Sequence, residues 1–199
     1  MIKTVFFDLG DVIVKVYAKR IYKKLFGSNY YGKIDFYKFA QKIPQVRDFE
    51  KGLISPEQFY LSIKSKINKN ITYSEFKDSW NDIFEPISGT IKILGKISDK
   101  YKTAILSNTN ILHINYLKQN YDFFDLFNYQ LYSFELGSIK PDKKIFQKAV
   151  QIAGSKPEES LFIDDNKENI ISAKNVGFNT VLFNSTDNLT DVVEILNLN

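Results

Sequence analysis

The sequence predicts an α/β fold in which a parallel β-sheet is covered by helices on both faces and a helical insertion follows the first strand. Three observations support this prediction. Short apolar runs alternate with stretches of helical period, most of these runs end at polar or turn-forming residues, and a long aromatic and lysine-rich stretch interrupts the alternation near the start of the chain.

The first predicted element is a buried strand at Thr4–Phe7, whose β-branched and aromatic residues stop at the turn-forming segment 8–11. Short apolar runs bounded by turn residues are typical of strands that are buried on both faces of a parallel sheet. Four later runs have the same character and predict four more strands, at residues 103–106, 129–132, 161–163 and 180–183.

Between these runs, apolar residues recur at intervals of three and four positions, which predicts the helices that cover the sheet. Gly177 follows the last of these stretches and is a typical helix stop signal. The three clearest examples are Ile91, Leu94 and Ile97; Ile145, Ala149 and Ile152; and Ile170, Ala173 and Val176.

Residues 15–87 break the alternation and are predicted to form a helical insertion, with residues 1–14 and 88–199 forming the α/β core. Ser55 followed by Pro56 reads as a helix N-cap with proline in the first turn, and 72–75 fits a capping box. The apolar positions of the insertion are Ile21, Leu25, Phe36, Phe39, Phe59, Ile63 and Ile67.

Composition excludes several classes of protein and site. The chain has 199 residues, 44% hydrophobic and 25% charged, which is typical of a globular domain. The absence of cysteine excludes disulfides and thiolate catalysis, and the single histidine, His113, excludes multi-histidine metal sites. The net charge of +4 comes mostly from scattered lysines, so we expect no nucleic-acid partner. No signal peptide or membrane-spanning run is recognisable, so a cytoplasmic protein without a membrane partner is expected.

Polar side chains gather at or near the carboxyl ends of the predicted strands, where open α/β sheets bind their ligands. Carboxylate oxygens suit Mg²⁺, which keeps several waters and is often completed by a substrate phosphate. A lysine and a hydroxyl add donors for phosphoryl oxygens. The residues concerned are Asp8, Ser107, Asn108, Lys140, Asp164 and Asp165.

These segments resemble the four ordered motifs of the haloacid dehalogenase-like hydrolase superfamily. Within it, the chain is most similar to bacterial sugar phosphatases of the α-glucose-1-phosphate phosphatase type, which share the stretch 107–113 and a segment like 50–55. The four segments are Phe7-Asp8-Leu9-Gly10-Asp11-Val12, Leu106-Ser107-Asn108-Thr109-Asn110, Lys140-Pro141 and Phe162-Ile163-Asp164-Asp165-Asn166.

The resemblance implies a Rossmann-like sheet with a helical cap in place of the insertion. It also implies a Mg²⁺-dependent phosphatase that acts on small phosphorylated metabolites, sugar phosphates above all, through an aspartyl-phosphate. By the same resemblance Asp8 is the nucleophile. Asp8, the carbonyl of Gly10 and Asp165 hold the metal, with Asp164 beside it or linked through water.

The remaining motif residues have roles in phosphate binding by the same resemblance. Ser107 and the backbone of Asn108 would hold the phosphoryl oxygens, and Lys140 would offset the charge of the nucleophile and the phosphoryl group. Two anions cannot approach each other in a low dielectric without such compensation.

One position departs from the pattern. Phosphatases of the superfamily usually carry a second aspartate two residues after the nucleophile, as general acid and base, but Gly10 stands there and Asp11 comes one residue late. A shift of one residue changes the direction of the side chain. Because general acid catalysis contributes about 10²–10⁴-fold, the loss matters least for good leaving groups such as an anomeric hydroxyl.

Four other residues are expected to be structural. His113 is predicted to pack within or on the helix after the second predicted strand, with substrate contact as the alternative. Arg47 and Glu50 are expected on a solvated helix face, with a pocket-lining role as the alternative, and Trp80 in the core of the cap.

Three other functions compete with the phosphatase. A haloacid dehalogenase has the same fold, but does not need the pair Asp164-Asp165. A signalling receiver domain places its acidic pair after the first strand, whereas here a lone aspartate comes first. A catalytically weak phosphate-binding protein stays open because of Gly10. A monomer or a homodimer is expected.

Overall fold

The structure, a computed structural model, describes residues 1–25, 43–67, 70–184 and 189–197. Phe36 and Phe39, predicted as apolar positions of the insertion, lie outside these ranges. No helix in the described part of the chain is both long and apolar enough to cross a membrane.

A five-stranded parallel sheet forms the centre of the molecule, in the order β5-β4-β1-β6-β7. All five predicted strands are confirmed within one or two residues at each end. They are β1 (Thr4–Phe7), β4 (Lys102–Ser107), β5 (Tyr129–Tyr132), β6 (Ser160–Asp164) and β7 (Asn179–Leu182), and a separate pair comprises β2 (Val14–Val16) and β3 (Phe84–Pro86).

Helices connect the strands, as the alternating pattern predicted. In chain order the described α-helices are α1 (Lys19–Leu25), α2 (Pro44–Glu50), α3 (Pro56–Lys64), α4 (Tyr73–Asn81), α5 (Ser88–Ser98), α6 (Ile111–Asn120), α7 (Ser133–Leu136), α8 (Lys143–Ala153), α9 (Lys167–Val176) and α10 (Leu189–Ile195). Short 3₁₀ turns lie at Asp122–Leu126 and Pro157–Glu159.

Each face of the sheet carries its own apolar core, because successive strand residues point to opposite faces. Val5 and Phe7 pack on one face with residues of α5, α6 and α10, while Phe6 packs on the other with residues of α8 and α9. Ile152 is 48% exposed, although its spacing suggested the buried face, because α8 buries Ile145, Phe146, Ala149, Val150 and Ala153 instead.

The insertion has a third apolar core of its own, built around Phe59, Phe76 and Trp80. The two predicted helix starts are confirmed. Ser55 and Thr72 each accept a hydrogen bond from the backbone N–H three residues on, and each capping box is complete. The placement of Trp80 in this core is likewise confirmed.

The base of the insertion is not helical, contrary to the prediction. β2 and β3 pair antiparallel there, with Val14 opposite Pro86 and Val16 opposite Phe84. The pair is too short to give a periodic signal, and its strands are 68 to 72 positions apart in the sequence. Because such a pairing depends on long-range contact, local pattern does not reveal it.

The insertion contacts the core through the segment that follows α2. The Ser133 hydroxyl donates to the carbonyl of Glu50 at 2.6 Å. Gly52 has a φ of +70°, and a Cβ there would lie 2.2 Å from the carbonyl oxygen of Phe134. Only glycine permits both this backbone conformation and this approach.

Candidate active site

The register of the central strands brings the first aspartate beside the acidic pair. Phe7 lies level with Ile163 in β6, and the N–H of Asp8 donates to the carbonyl of Ile163 at 2.9 Å. Asp8, Asp164 and Asp165 each offer a carboxylate oxygen within 4.8 Å of the others. The sheet therefore brings Asp8 together with an acidic pair that follows it by 156 and 157 positions in the sequence.

Lys140 compensates part of this charge. Its Nζ lies 2.8 Å from Asp8 Oδ1 and 2.6 Å from Asp164 Oδ2, and its side chain is 1% exposed. Burial lowers the pKa of Lys140, but the two carboxylates more than offset this, so that the pKa lies above its usual range. The ammonium is therefore charged at neutral pH.

Asp164 holds this arrangement in place. It is fully buried, and besides Lys140 it accepts hydrogen bonds from the Asn166 N–H at 2.8 Å and from Asn169 Nδ2 at 3.0 Å to each oxygen. Sequence reasoning missed Asn169. It lies on α9, five residues after the acid, and no motif identifies an asparagine there.

The loop that carries Lys140 is held from the opposite side by Asn108. Its side chain accepts from the Lys140 N–H at 2.7 Å and donates to the Lys140 carbonyl at 2.9 Å. Ser107 is the last residue of β4, is buried, and lies level with Tyr132 of β5. The structure thus places both residues at the same edge of the sheet as Asp8.

The site carries more negative than positive charge in the absence of a cation. Burial, with the repulsion of Asp164, raises the pKa of Asp8 to about 7 although Lys140 lowers it. Burial and the charges of Asp164 and Asp11 raise the pKa of Asp165 to about 6. Three oxygen-donor side chains against one ammonium fit a hard divalent cation such as Mg²⁺.

Gly10 and Asp11 lie in the turn that leaves β1. Asp11 has a φ of +55° and its Oδ1 forms an ion pair with Lys15 Nζ at 2.6 Å. Gly10 does not have a left-handed φ, and a Cβ there would meet Val16 Cγ2 at 3.3 Å. The side chain of Asp11 is therefore engaged with Lys15, and Gly10 is a position where another side chain requires only a small movement of Val16.

His113 packs rather than faces the acids, as the sequence predicted. Its ring stacks on Trp80 at 5.4 Å and meets the edge of Phe84 at 4.9 Å, and its Nδ1 lies 3.0 Å from Asn81 Oδ1. Burial lowers the pKa of His113 to about 3, so the imidazole is neutral. His113 therefore joins α6 to α4 and β3.

Arg47 is exposed, as expected, but Glu50 is half-buried and the expectation of a solvated face is wrong for it. Burial raises the pKa of Glu50 to about 7, against a lowering by Arg47. The reason is the contact of the following segment with α7, which covers the end of α2.

Comparison with known proteins finds a phosphatase and a solved haloacid dehalogenase-family enzyme among the similar chains. A D-ribitol-5-phosphate phosphatase of Bacteroides thetaiotaomicron is 29% identical over 195 residues, covering 90% of this chain and 91% of its own. A haloacid dehalogenase-family enzyme of the same species, solved with magnesium and inorganic phosphate, superposes with a TM-score of 0.78 at 28% identity, covering 91% of this chain and 93% of that one.

An L-2-haloacid dehalogenase of Xanthobacter autotrophicus shares the fold with a TM-score of 0.67 at 20% identity, over all of this chain and 85% of that one. The family model of haloacid dehalogenase-like hydrolases matches residues 2–177. With its motifs, its sheet and its cluster of acids, the chain belongs to the haloacid dehalogenase-like hydrolase family.

Proposed function

We propose that the protein is a Mg²⁺-dependent phosphatase that hydrolyses small phosphorylated metabolites, with sugar phosphates favoured, through an aspartyl-phosphate at Asp8. The observation that carries the proposal is the cluster of Asp8, Asp164 and Asp165 around the Lys140 ammonium. The phosphatase class is also that of the D-ribitol-5-phosphate phosphatase relative, and the magnesium and phosphate of the solved family member support the cofactor.

In this proposal Asp8, the carbonyl of Gly10 and Asp165 hold Mg²⁺, and Asp164 contacts it directly or through water. When bound, the cation supplies positive charge that offsets the repulsion between the nucleophile and the phosphoryl oxygens. Asp164 also positions Lys140, whose Nζ donates a hydrogen bond to it.

An Asp8 carboxylate oxygen attacks phosphorus, the bond to the ester oxygen breaks, and the leaving alkoxide takes a proton from water or from Asp11. Water then hydrolyses the acyl phosphate, which releases inorganic phosphate and restores Asp8. Ser107 and the N–H of Asn108 bind the phosphoryl oxygens, and the Lys140 ammonium stabilises the charge that develops there. The cap, proposed to comprise residues 15–87, is proposed to select the substrate.

A screen of phosphorylated sugars and nucleotides, with Mg²⁺ and with excess chelator, tests this function. We expect release of phosphate from sugar phosphates only when Mg²⁺ is present. Binding of phosphate without its release from any ester would favour the catalytically weak alternative. Full activity in excess chelator would contradict the metal requirement.

The missing acid at Gly10 predicts a steep dependence of rate on the leaving group. Sugar 1-phosphates and p-nitrophenyl phosphate are expected to react faster than primary-alcohol phosphates such as glycerol phosphate, because their alkoxide or phenolate leaves with less help from a proton. The measurement is kcat/KM for unbranched alkyl and aryl phosphates of similar size and graded leaving-group pKa.

The variants Gly10→Asp and Asp11→Asn distinguish a missing general acid from one supplied by Asp11. Gly10→Asp is expected to flatten the dependence, because the backbone there admits a side chain after a small shift of Val16. If Asp11 serves as the acid, Asp11→Asn steepens a dependence that is flat in the wild type. A flat dependence in both the wild type and Asp11→Asn contradicts the reading of Gly10.

Replacing Asp164 and replacing Asp165 are expected to affect activity and the free energy of unfolding to different extents. Asp165→Asn should weaken Mg²⁺ binding and activity more than Asp164→Asn, because Asp165 is the proposed direct ligand. Asp164→Asn should lower the free energy of unfolding more, because it breaks a buried ion pair with Lys140. Magnesium titration of activity and urea unfolding measure the two effects, and the reverse order in activity contradicts the assignment of ligands.

A dehalogenase is the second candidate, and the Xanthobacter enzyme supports it through the fold alone. An acidic pair gathered beside the nucleophile favours the phosphatase, since displacement of halide by Asp8 needs no divalent cation. Release of halide from a 2-haloacid by the purified protein would favour the dehalogenase.

A further inference from the structure

A buried hydroxyl connects the cap with the loop that follows β4. Ser133, the first residue of α7, is fully buried. Its Oγ donates to the carbonyl of Glu50, the last residue of α2, at 2.6 Å. The same Oγ accepts from the Thr109 N–H at 3.0 Å and lies 3.1 Å from the Thr109 carbonyl oxygen. One side chain therefore contacts both the insertion and the segment that directly follows Ser107 and Asn108.

This hydroxyl has more acceptors within reach than it has hydrogens. A serine hydroxyl donates one hydrogen and accepts through two lone pairs. The carbonyls of Glu50 and Thr109 therefore compete for the single hydrogen of Ser133, and the shorter contact, to Glu50, holds it while the cap segment is in place. When that segment moves away, rotation about the Cβ–Oγ bond brings the hydrogen to the Thr109 carbonyl, so the hydroxyl stays hydrogen-bonded in both arrangements.

The backbone of the cap comes close to α7 beside this hydroxyl. Gly52 has a φ of +70°, and a Cβ there would lie 2.2 Å from the carbonyl oxygen of Phe134. Any larger residue at this position must therefore shift the segment 50–52 away from α7. Such a shift lengthens the hydrogen bond from Ser133 to that segment without altering the side chain of Ser133 or of Thr109.

We propose that Ser133 is a positioning residue that couples the seating of the cap segment 50–52 to the geometry of the loop 107–109. The part of that loop in phosphate binding rests on the function proposed above. A hydroxyl that accepts one hydrogen bond donates a stronger one, so the bond from Thr109 and the bond to Glu50 support each other. A seated cap thus stabilises the loop conformation that receives the phosphoryl group, and by reciprocity a bound phosphate favours the seated cap.

NMR of the full chain, without metal or phosphate, tests the coupling directly. Gly52→Ala displaces the cap segment, so we expect the carbonyl carbon of Thr109 and the amide nitrogen of Asn110 to shift as the Thr109 carbonyl gains the hydroxyl hydrogen. The same substitution added to Ser133→Ala should leave both signals where Ser133→Ala alone puts them. Equal shifts in the two backgrounds, or no shift in the wild-type background, would overturn the proposal.

Amide hydrogen exchange gives a second test, which does not require Gly52→Ala to fold. In Ser133→Ala the amides of Thr109 and of Gly52 should both exchange about tenfold faster, since one loses its acceptor and the other lies in the segment that loses its anchor. Ser160→Ala is the matched control, because Ser160 is equally buried and donates to the Lys156 carbonyl at 2.8 Å at the start of β6. Acceleration confined to Thr109, or equal acceleration in Ser160→Ala, would contradict the coupling.

Binding of inorganic phosphate in the presence of Mg²⁺ connects the coupling to the proposed function. The Kd is expected to rise about fivefold in Ser133→Ala and in Gly52→Ala, and no further in the double variant, because both substitutions break the same contact. Ser160→Ala should bind as the wild type does, and losses that multiply in the double variant would overturn the proposal. A protein that releases no phosphate from any ester contradicts the phosphatase assignment and leaves the NMR and exchange results unaffected, so the two failures are distinguishable.

Discussion

Replacing Asp8 by asparagine is expected to abolish phosphatase turnover while the fold stays intact. An amide is not a nucleophile toward phosphorus here and is a weaker ligand for Mg²⁺, so a loss of at least about 10³-fold in kcat is expected. The free energy of unfolding should change little. Burial raises the pKa of Asp8 to about 7, so the native fold gains no stability from the ionised form of this side chain.

The comparison is made on purified wild type and Asp8→Asn at saturating Mg²⁺ and substrate, with urea unfolding as the check on folding. Asp99→Asn is the control, since it removes an exposed carboxylate that lies outside the cluster of three acids. Activity of Asp8→Asn within about tenfold of the wild type would contradict the assignment of the nucleophile.

Lys140→Met is expected to damage both stability and catalysis. The substitution keeps the length of the side chain but leaves Asp8 and the fully buried Asp164 without their ammonium. Removing one partner of a buried ion pair typically costs about 3–5 kcal/mol of unfolding free energy. Urea unfolding in chelator measures this cost, because no cation can then replace the lysine.

The exposed Lys144→Met is the control, and it should change the unfolding free energy by no more than about 0.5 kcal/mol. The double variant Lys140→Met with Asp164→Asn sharpens the test. It removes the uncompensated charge, so it should be less destabilised than the sum of the two single variants. Additive losses, or a Lys140→Met protein as stable as the wild type, would contradict the role of the lysine as the counter-charge of the cluster.

The central strands and two helix starts could be predicted from the sequence, because each depends on a few consecutive residues. The strands of the central sheet are short and apolar because both their faces are buried, and each could be recognised from a few residues such as 4–7 or 161–163. The helix starts at Ser55 and Thr72 could be predicted because a capping box depends on four consecutive positions.

What sequence did not reveal depends on contacts between distant segments. The pair β2 and β3 forms only because the two ends of the insertion meet. Asn169 contacts Asp164 only because α9 begins three residues after that acid and turns the Asn169 amide back onto it. The burial of Glu50 depends on α7, about 80 positions away in the chain.

The motif residues of the candidate site could be named from the sequence because the carboxyl ends of parallel strands share one edge. The contacts among these residues could not be predicted from the sequence. Lys140 lies between Asp8 and Asp164, and Asn108 holds its backbone, because the loop after α7 packs against the ends of β1, β4 and β6.

Chemical trapping of the covalent intermediate tests the central claim most directly. The protein is mixed with a reactive substrate and Mg²⁺, quenched in acid within a single turnover and reduced with borohydride, which converts an acyl phosphate of aspartate to homoserine. Mass spectrometry of the peptide that contains residue 8 is then expected to find homoserine in place of Asp8, and none in a sample without substrate. Unmodified Asp8 in a sample whose substrate has been converted, or homoserine at Asp164 or Asp165 instead, would contradict the account.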